Sequence, residues 1–411
     1  MQIISARGPA IFFFKNLGLY LRKVFNRKFG LRNDFPKNYT RTKQCGGKFS
    51  TGSENTRDRV FEYRFSFILL VMFCTSIVTI SCQEDLTIQE SSFSQSLVAG
   101  KYILPAREGW WNWGMAPIYD EAGKLHIFNS SIPYLGEKGM GNWSFKSIIN
   151  HYVADSVEGP YELVGTAFSS DEATYHNPQI SKVGDTYVLV YLWKERSAPQ
   201  LNQSINIATA KSLYGPWTES PLNPILKPTF IPDSPNAIHA SNPSFLVDSE
   251  GKFRIYYKSI SDREPPLRTI SLAIADNIEG PYANHSGTPL ISYEDLGLDI
   301  EDPCAFYYQN KYYMIVEDRM GVRNALEGNQ IPHSEIKLGG NRPGLIYESE
   351  DGINWGRPEI GYQTNGYYFH EELSRTERPH ILWKNGKPEY LFLANHGSNE
   401  AGFFLKIENW K

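Results

Sequence analysis

The sequence predicts an all-β protein, a five-bladed β-propeller over residues 101–411 with a pocket at its central channel. Three observations predict it: the composition, a unit that recurs five times, and a second element that trails that unit. Aromatic residues make up 14% of the chain, and 33 Gly and 25 Pro accompany them. That balance favours many short strands separated by turns over long helices.

The recurring unit consists of a polar or acidic residue, a Pro, an apolar strand, a turn, and a strand rich in aromatic residues. Its copies run from Met115-Ala116-Pro117 to Phe128, from His176-Asn177-Pro178 to Tyr191, and from Ser241-Asn242-Pro243 to Tyr257. Two more run from Glu301-Asp302-Pro303 to Val316 and from Glu377-Arg378-Pro379 to Leu393. The trailing element reads Gly159-Pro160-Tyr161, Gly215-Pro216-Trp217 and Gly280-Pro281-Tyr282, with Gly352 to Trp355 as its fourth form. Alternating stretches such as Ile205–Ala210 and Ile270–Ala275 precede it, as suits the third strand of a blade. The Gly-Pro-aromatic step then turns the chain into the outermost strand. Roughly 60 to 75 residues separate the units, which leaves room for long loops on one face.

Proline cannot donate to a β-ladder and is tolerated where a strand begins. The residue before each Pro therefore marks the mouth of an innermost strand, and innermost strands surround the channel of a propeller. Those residues are Ala116, Asn177, Asn242, Asp302 and Arg378. Two amides, a carboxylate and a guanidinium in one register point to a polar site.

The remainder of the chain reads differently. Residues 1–60 read as a basic extension, expected to be disordered or the product of a start assigned too early, with a functional basic tail as the lower-ranked alternative. Residues 61–82 form a signal peptide whose apolar run, Phe65 to Ile80, ends in Thr79-Ile80-Ser81-Cys82. That ending resembles a bacterial lipobox, which implies lipidation of Cys82 and an exported protein, in the periplasm or as an outer-membrane lipoprotein. Residues 83–100 read as a linker. Net charge is only −4 and the C-terminal Lys and Arg are scattered, so no nucleic-acid partner is expected, and membrane contact is expected only through Cys82. Cys45, Cys74 and Cys82 lie in the first fifth and leave Cys304 alone, so neither a disulfide framework nor a zinc site can be built. No phosphate-cradling loop, Ser-His-Asp order or HExxH motif is present. The sequence leaves the oligomeric state open.

The chain resembles the five-bladed β-propeller glycoside hydrolases, families 43, 32 and 117, and secreted bacterial proteins of the sucrase-like group. The resemblance covers Trp110 to Leu405 and rests on Trp110-Trp111-Asn112-Trp113-Gly114, His176-Asn177-Pro178, Leu213 to Trp217, Glu301-Asp302-Pro303 and Glu377-Arg378-Pro379. It implies a carbohydrate pocket at the channel mouth with acidic catalysts on different blades. Families 43 and 32 carry an Asp at the start of the first innermost strand, where this chain has Gly114-Met115-Ala116. Family 117 is implied to use a histidine as acid, so the fold tolerates a redistribution of roles.

Glycoside cleavage needs one group to protonate the leaving oxygen and another to activate water or attack the anomeric carbon. Asp302 is the first candidate, because the residue before Pro303 is expected to face the channel. Glu377 stands in the corresponding neighbourhood of the fifth unit, next to Arg378, as acid or base, with service as the counterion of Arg378 as its alternative. Glu301 and Asp171 complete the catalytic candidates, Asp171 on the expectation that its loop reaches over the pocket. Trp110, Trp111 and Trp113 suit stacking on the apolar faces of sugar rings, with core packing as the rival role. His176, Asn177, Asn242 and Arg378 suit sugar hydroxyls, and Asp318 and His333 are placed at the rim, His333 as a family-117-like acid. No cofactor is expected, although oxygen ligands meeting on one axis are compatible with a structural Ca²⁺. The expected activity is exo-acting glycoside hydrolysis of plant or algal oligosaccharides; the alternatives are a non-catalytic glycan-binding surface lipoprotein and a glycan phosphorylase.

Overall fold

A computed structural model describes residues 86–134, 140–329, 342–370, 375–396 and 400–411. The basic extension, the signal peptide and Cys82 lie outside these residues, as does His333. Twenty strands form five four-stranded antiparallel sheets, each ordered from an innermost to an outermost strand. The first blade comprises β2 (Trp110–Tyr119), β3 (Leu125–Pro133), β4 (Ile148–Ala154) and β5 (Glu162–Phe168). The next is β6 (Ala173–Val183), β7 (Thr186–Glu195), β8 (Ser204–Ala210) and β9 (Thr218–Glu219). The third is β10 (His239–Val247), β11 (Phe253–Ile260), β12 (Arg268–Ala275) and β13 (Ala283–Asn284). The fourth is β14 (Glu301–Tyr308), β15 (Lys311–Glu317), β16 (Gly344–Ser349) and β17 (Glu359–Tyr362).

The last blade is assembled from both ends of the domain. β18 (Arg375–Lys384), β19 (Lys387–His396) and β20 (Glu400–Ile407) come from the C-terminus, and β1 (Leu97–Pro105) pairs with β20 as the outermost strand. This explains why the Gly-Pro-aromatic element occurs behind only four units: the fifth blade takes its outer strand from the N-terminal side. In the first three blades the Gly of that element lies at φ 83°, 83° and 98°, a left-handed conformation that glycine adopts without a Cβ clash.

The expected linker is corrected by the same arrangement. Ser91 caps the short helix α1 (Ser92–Gln95), its hydroxyl accepting from Ser94 N at 3.0 Å, and Phe93 is buried with its ring 4.9 Å from Trp410. Ile360 N of β17 donates to Gln89 O at 2.9 Å. The segment thus straps the fourth blade before β1 completes the fifth, so the propeller starts well before Lys101.

Between neighbouring blades lies an apolar layer. Phe128 and Ile149 meet Leu189 and Tyr191; Val188 and Ile207 meet Ile255 and Tyr257; Tyr256 and Leu272 meet Met314 and Leu345. Ile315 and Ile346 meet Leu391 and Phe403, and Leu125 and Ile127 meet Phe392 and Phe404. That last layer joins the fifth blade to the first and closes the ring. Burial of both faces of each sheet supplies the main stabilising term and leaves the channel as the place for polar side chains. Among the described residues no helix is long and apolar enough to cross a membrane.

Candidate active site

Every innermost strand carries the same irregularity. Ladder pairing skips two residues, between Trp113 and Ala116, His176 and Gln179, Ser241 and Ser244, Glu301 and Cys304, and Glu377 and His380. The first skipped residue has a left-handed backbone: Gly114 at φ 60°, Asn177 and Asn242 at 48°, Asp302 at 62° and Arg378 at 57°. The second is Pro178, Pro243, Pro303 or Pro379, whose missing N–H costs nothing where the ladder is already broken. In the first blade it is Met115.

This register corrects the assignment of Ala116. Its structural counterparts are Gln179, Ser244, Cys304 and His380, and Pro117 sits in regular pairing opposite Ile127. The first-blade member of the polar ring is Gly114, which has no side chain to offer. A Cβ built there would come no closer than 4.0 Å to Asn177 Oδ1 and Arg378 Cγ.

The other four ring members are joined side by side. Asn177 Nδ2 donates to Asn242 Oδ1 at 2.9 Å, and Asn242 Nδ2 donates to Asp302 Oδ1. Arg378 donates twice to Asp302, from its backbone N to Oδ2 at 3.1 Å and from Nη1 to Oδ1 at 3.3 Å. Asp302 therefore accepts three N–H groups, a pattern that uses carboxylate lone pairs.

A cavity of about 370 Å³ opens on one side of this ring. Trp113, His176, Asn177, Asn242, Glu301, Asp302, Glu377 and Arg378, all expected from the sequence, line it. Lys258, Arg268, Arg319, Arg375, Trp143 and His396 line it too and were not anticipated. Most of these lie off the innermost strands. Glu301 faces Glu317 of β15, and Ser241 faces Lys258 of β11, so only strand register brings those side chains in. Arg375 alone carried a signal, because residues two apart on a strand share a face and Glu377 was already assigned. Trp143 belongs to the short helix α2 (Trp143–Lys146) and stacks on His176 with centroids 5.0 Å apart.

The carboxylates divide electrostatically. Glu301 contacts Lys258 Nζ at 2.9 Å, Arg268 Nε at 3.1 Å, Arg375 Nη2 at 3.2 Å and Arg319 Nε at 3.5 Å. The approach of Arg268 Nε lacks hydrogen-bond alignment and is an ion-pair contact. Burial alone would raise the Glu301 carboxyl, but these four cations outweigh it and hold the group well below the usual range. Glu377 is pushed the other way, to about 7, by burial and by Asp302 and Glu301, against the pull of Arg375. Glu317, lying deeper, is raised well above its ordinary value by burial and by Glu377. His176 is held neutral by burial beside Arg378 and Lys258.

Oxygens of Glu301, Glu317 and Glu377 lie within 4.8 Å of one another. Arg375 Nη2 already occupies the midst of them, 3.2 Å from Glu301, 3.3 Å from Glu317 and closest to Glu377. The guanidinium supplies the positive charge a Ca²⁺ would bring, so this donor set does not fit a structural Ca²⁺.

Other expectations are corrected by placement. Asp171 is fully exposed, 3.6 Å from Arg196, and lines a separate cavity beside Glu172 and Trp193. Asp318 is buried and accepts from the backbone N of Gly321, Val322 and Arg323, capping the short helix α3 (Val322–Leu326) away from the cavity. Trp110 lies under the Arg107 guanidinium, and Trp111 packs on Tyr134; of the three tryptophans only Trp113 reaches the cavity. A larger, mainly apolar cavity of about 560 Å³ at the opposite end of the channel is lined by Pro117, Phe245, Phe306 and Ile381. It holds none of the acidic residues.

The fold and site define a five-bladed β-propeller with a polar pocket at one mouth of its channel, the architecture of several glycoside hydrolases. No family model matches the sequence, and no curated protein sequence matches it. Among solved structures, the protein is similar to Zg3597, a family 117 glycoside hydrolase of the marine bacterium Zobellia galactanivorans, at 15% identity and a TM-score of 0.53, over 75% of this chain and 89% of that one. It is similar as well to BT0996, solved as an RGII complex, at 11% identity and a TM-score of 0.52, over 75% and 92%. A family 43 β-xylosidase/α-arabinofuranosidase from a compost metagenome aligns at 14% identity and 0.49, over 75% and 94%, too loosely to carry an argument. These likenesses establish the fold.

Proposed function

We propose that this protein is a glycoside hydrolase acting on the ends of plant or algal oligosaccharides, with Glu377 as acid and Asp302 as base or nucleophile. One observation carries the reading. Two carboxyl groups face one small cavity in opposite conditions, Glu377 raised to about 7 and Asp302 accepting three N–H donors. A buried carboxyl raised toward neutrality is suited to donate a proton to the leaving oxygen, and the hydrogen-bonded carboxyl beside it is then the candidate base or nucleophile. Glu301, tied to four cations, positions that pair. Trp113 and Trp143 offer ring faces to the sugar, and a cavity of about 370 Å³ suits a chain end better than a chain middle.

Incubation with plant and algal oligosaccharides is expected to release monosaccharide, and Asp302→Asn to abolish the release with the fold retained. Full activity in that variant would remove the assignment. Gly114, standing where families 43 and 32 carry an Asp, favours a second reading, capture of a glycan without cleavage; saturable binding by the wild-type protein with no product would establish it.

We place the protein outside the cytoplasm, anchored through Cys82. Fatty-acid labelling that is lost in Cys82→Ser would support this, and labelling unaffected by the substitution would refute it.

A further inference from the structure

Cationic side chains outnumber carboxylates in the wall of this cavity. Five cationic side chains line it, Lys258, Arg268, Arg319, Arg375 and Arg378, against three carboxylates, Glu301, Asp302 and Glu377. Asp299, directly behind, takes contacts from Arg268 at 3.1 Å and from Arg319 at 2.8 Å. Glu317 is the remaining acid, and its oxygens lie within 4.8 Å of those of Glu377 and Glu301.

We infer that the ligand of this cavity is an acidic saccharide, whose oxyanion, a carboxylate or a sulfate ester, is received by the guanidinium groups of Arg268 and Arg375. The inference rests on the glycosidase reading for the saccharide and adds the charge. Arg268 and Arg375 are the most open of the five, with side chains 24% and 29% exposed, whereas Lys258 and Arg378 stand at 9% and 3%. Among the described residues, Nε of Arg268, Arg375 and Arg378 is buried without a hydrogen-bond acceptor. A guanidinium receives an oxyanion with planar, charge-matched geometry, and Arg268 and Arg375 expose the most side-chain surface to do so.

Calorimetric titration of the purified protein tests this with five probes: an oligosaccharide ending in a hexuronic acid, the same compound with its carboxyl reduced to the alcohol, a sulfated oligosaccharide, its desulfated form, and inorganic phosphate. The acidic member of at least one pair is expected to bind at least about tenfold more tightly than its neutral partner, with the advantage falling as salt is added. The two pairs tell carboxylate from sulfate. Arg268→Gln is expected to remove most of the advantage, and Arg268→Lys to retain part of it. Equal binding within both pairs would overturn the inference, as would tight phosphate binding with no gain from the acid group of the sugar. Hydrolysis measured on the same compounds keeps the two readings apart. Cleavage without charge preference sinks the acidic-ligand inference alone, and preferential binding without cleavage sinks the glycosidase reading alone.

Discussion

Glu377→Gln is expected to lower kcat by roughly 10²- to 10⁴-fold, the range a positioned general acid contributes, while the propeller stays folded. The amide keeps the shape of the side chain and loses the proton. In the wild-type protein the donor must be protonated, so kcat should fall as pH rises through about 7. That limb belongs to a group faced by Arg375, Glu317, Glu301 and Asp302 together, and Glu317→Gln should displace it. Substrates with a good leaving group should be rescued in Glu377→Gln, because they need no protonation. A variant that keeps the alkaline limb would reassign the acid.

The same group makes a stability prediction with a definite sign. A carboxyl raised from about 4.5 in the unfolded chain to about 7 in the folded one binds more protons when folded between those values, so its contribution favours the native state below that window and fades as pH rises through it. Denaturation midpoints followed across pH 4.5–7 should therefore show a downward component that Glu377→Gln lacks. Glu301 acts oppositely. Its depressed carboxyl contributes stability that is present above about 4.5 and lost as acid is added below it.

Arg375→Met is expected to destabilise the protein by about 3–5 kcal/mol, the cost typical of removing one partner from a buried ionic cluster. Arg375 is the cation common to Glu301, Glu317 and Glu377. Without it, Glu317 and Glu377 keep no cationic contact among the described residues, and Glu301 keeps Lys258, Arg268 and Arg319. Adding Glu317→Gln to Arg375→Met should recover part of the loss, because one of the repelling groups is then neutral. Urea denaturation of the two single variants and the double variant measures the coupling. Additive effects would show that the cluster does not act as a unit.

Which of these features could be read without coordinates follows from how local each signal is. Asn177, Asn242, Asp302 and Arg378 stood out because a Pro follows each and the blades repeat the pattern. The first blade has the same backbone irregularity but Met115 in place of Pro, and the nearby Pro117 drew the register two residues too far, to Ala116. Asp171 was misplaced for a related reason: nearness in sequence to His176 does not determine which way a loop carboxylate turns. Asp318 resembled a rim acid until the three backbone N–H groups it caps were visible.

Blade number and the ring of polar residues before the prolines were determined by the sequence alone, because repetition and alternation are properties of neighbouring residues. The closure of the fifth blade by β1, the convergence of Lys258, Arg268, Arg319 and Arg375 on Glu301, and the raised acidity range of Glu377 were decided only in the tertiary structure. Each depends on groups tens to hundreds of residues apart being brought within a few ångströms in a place that water barely enters, and electrostatic interaction there is governed by distance and burial, neither of which a linear spacing encodes.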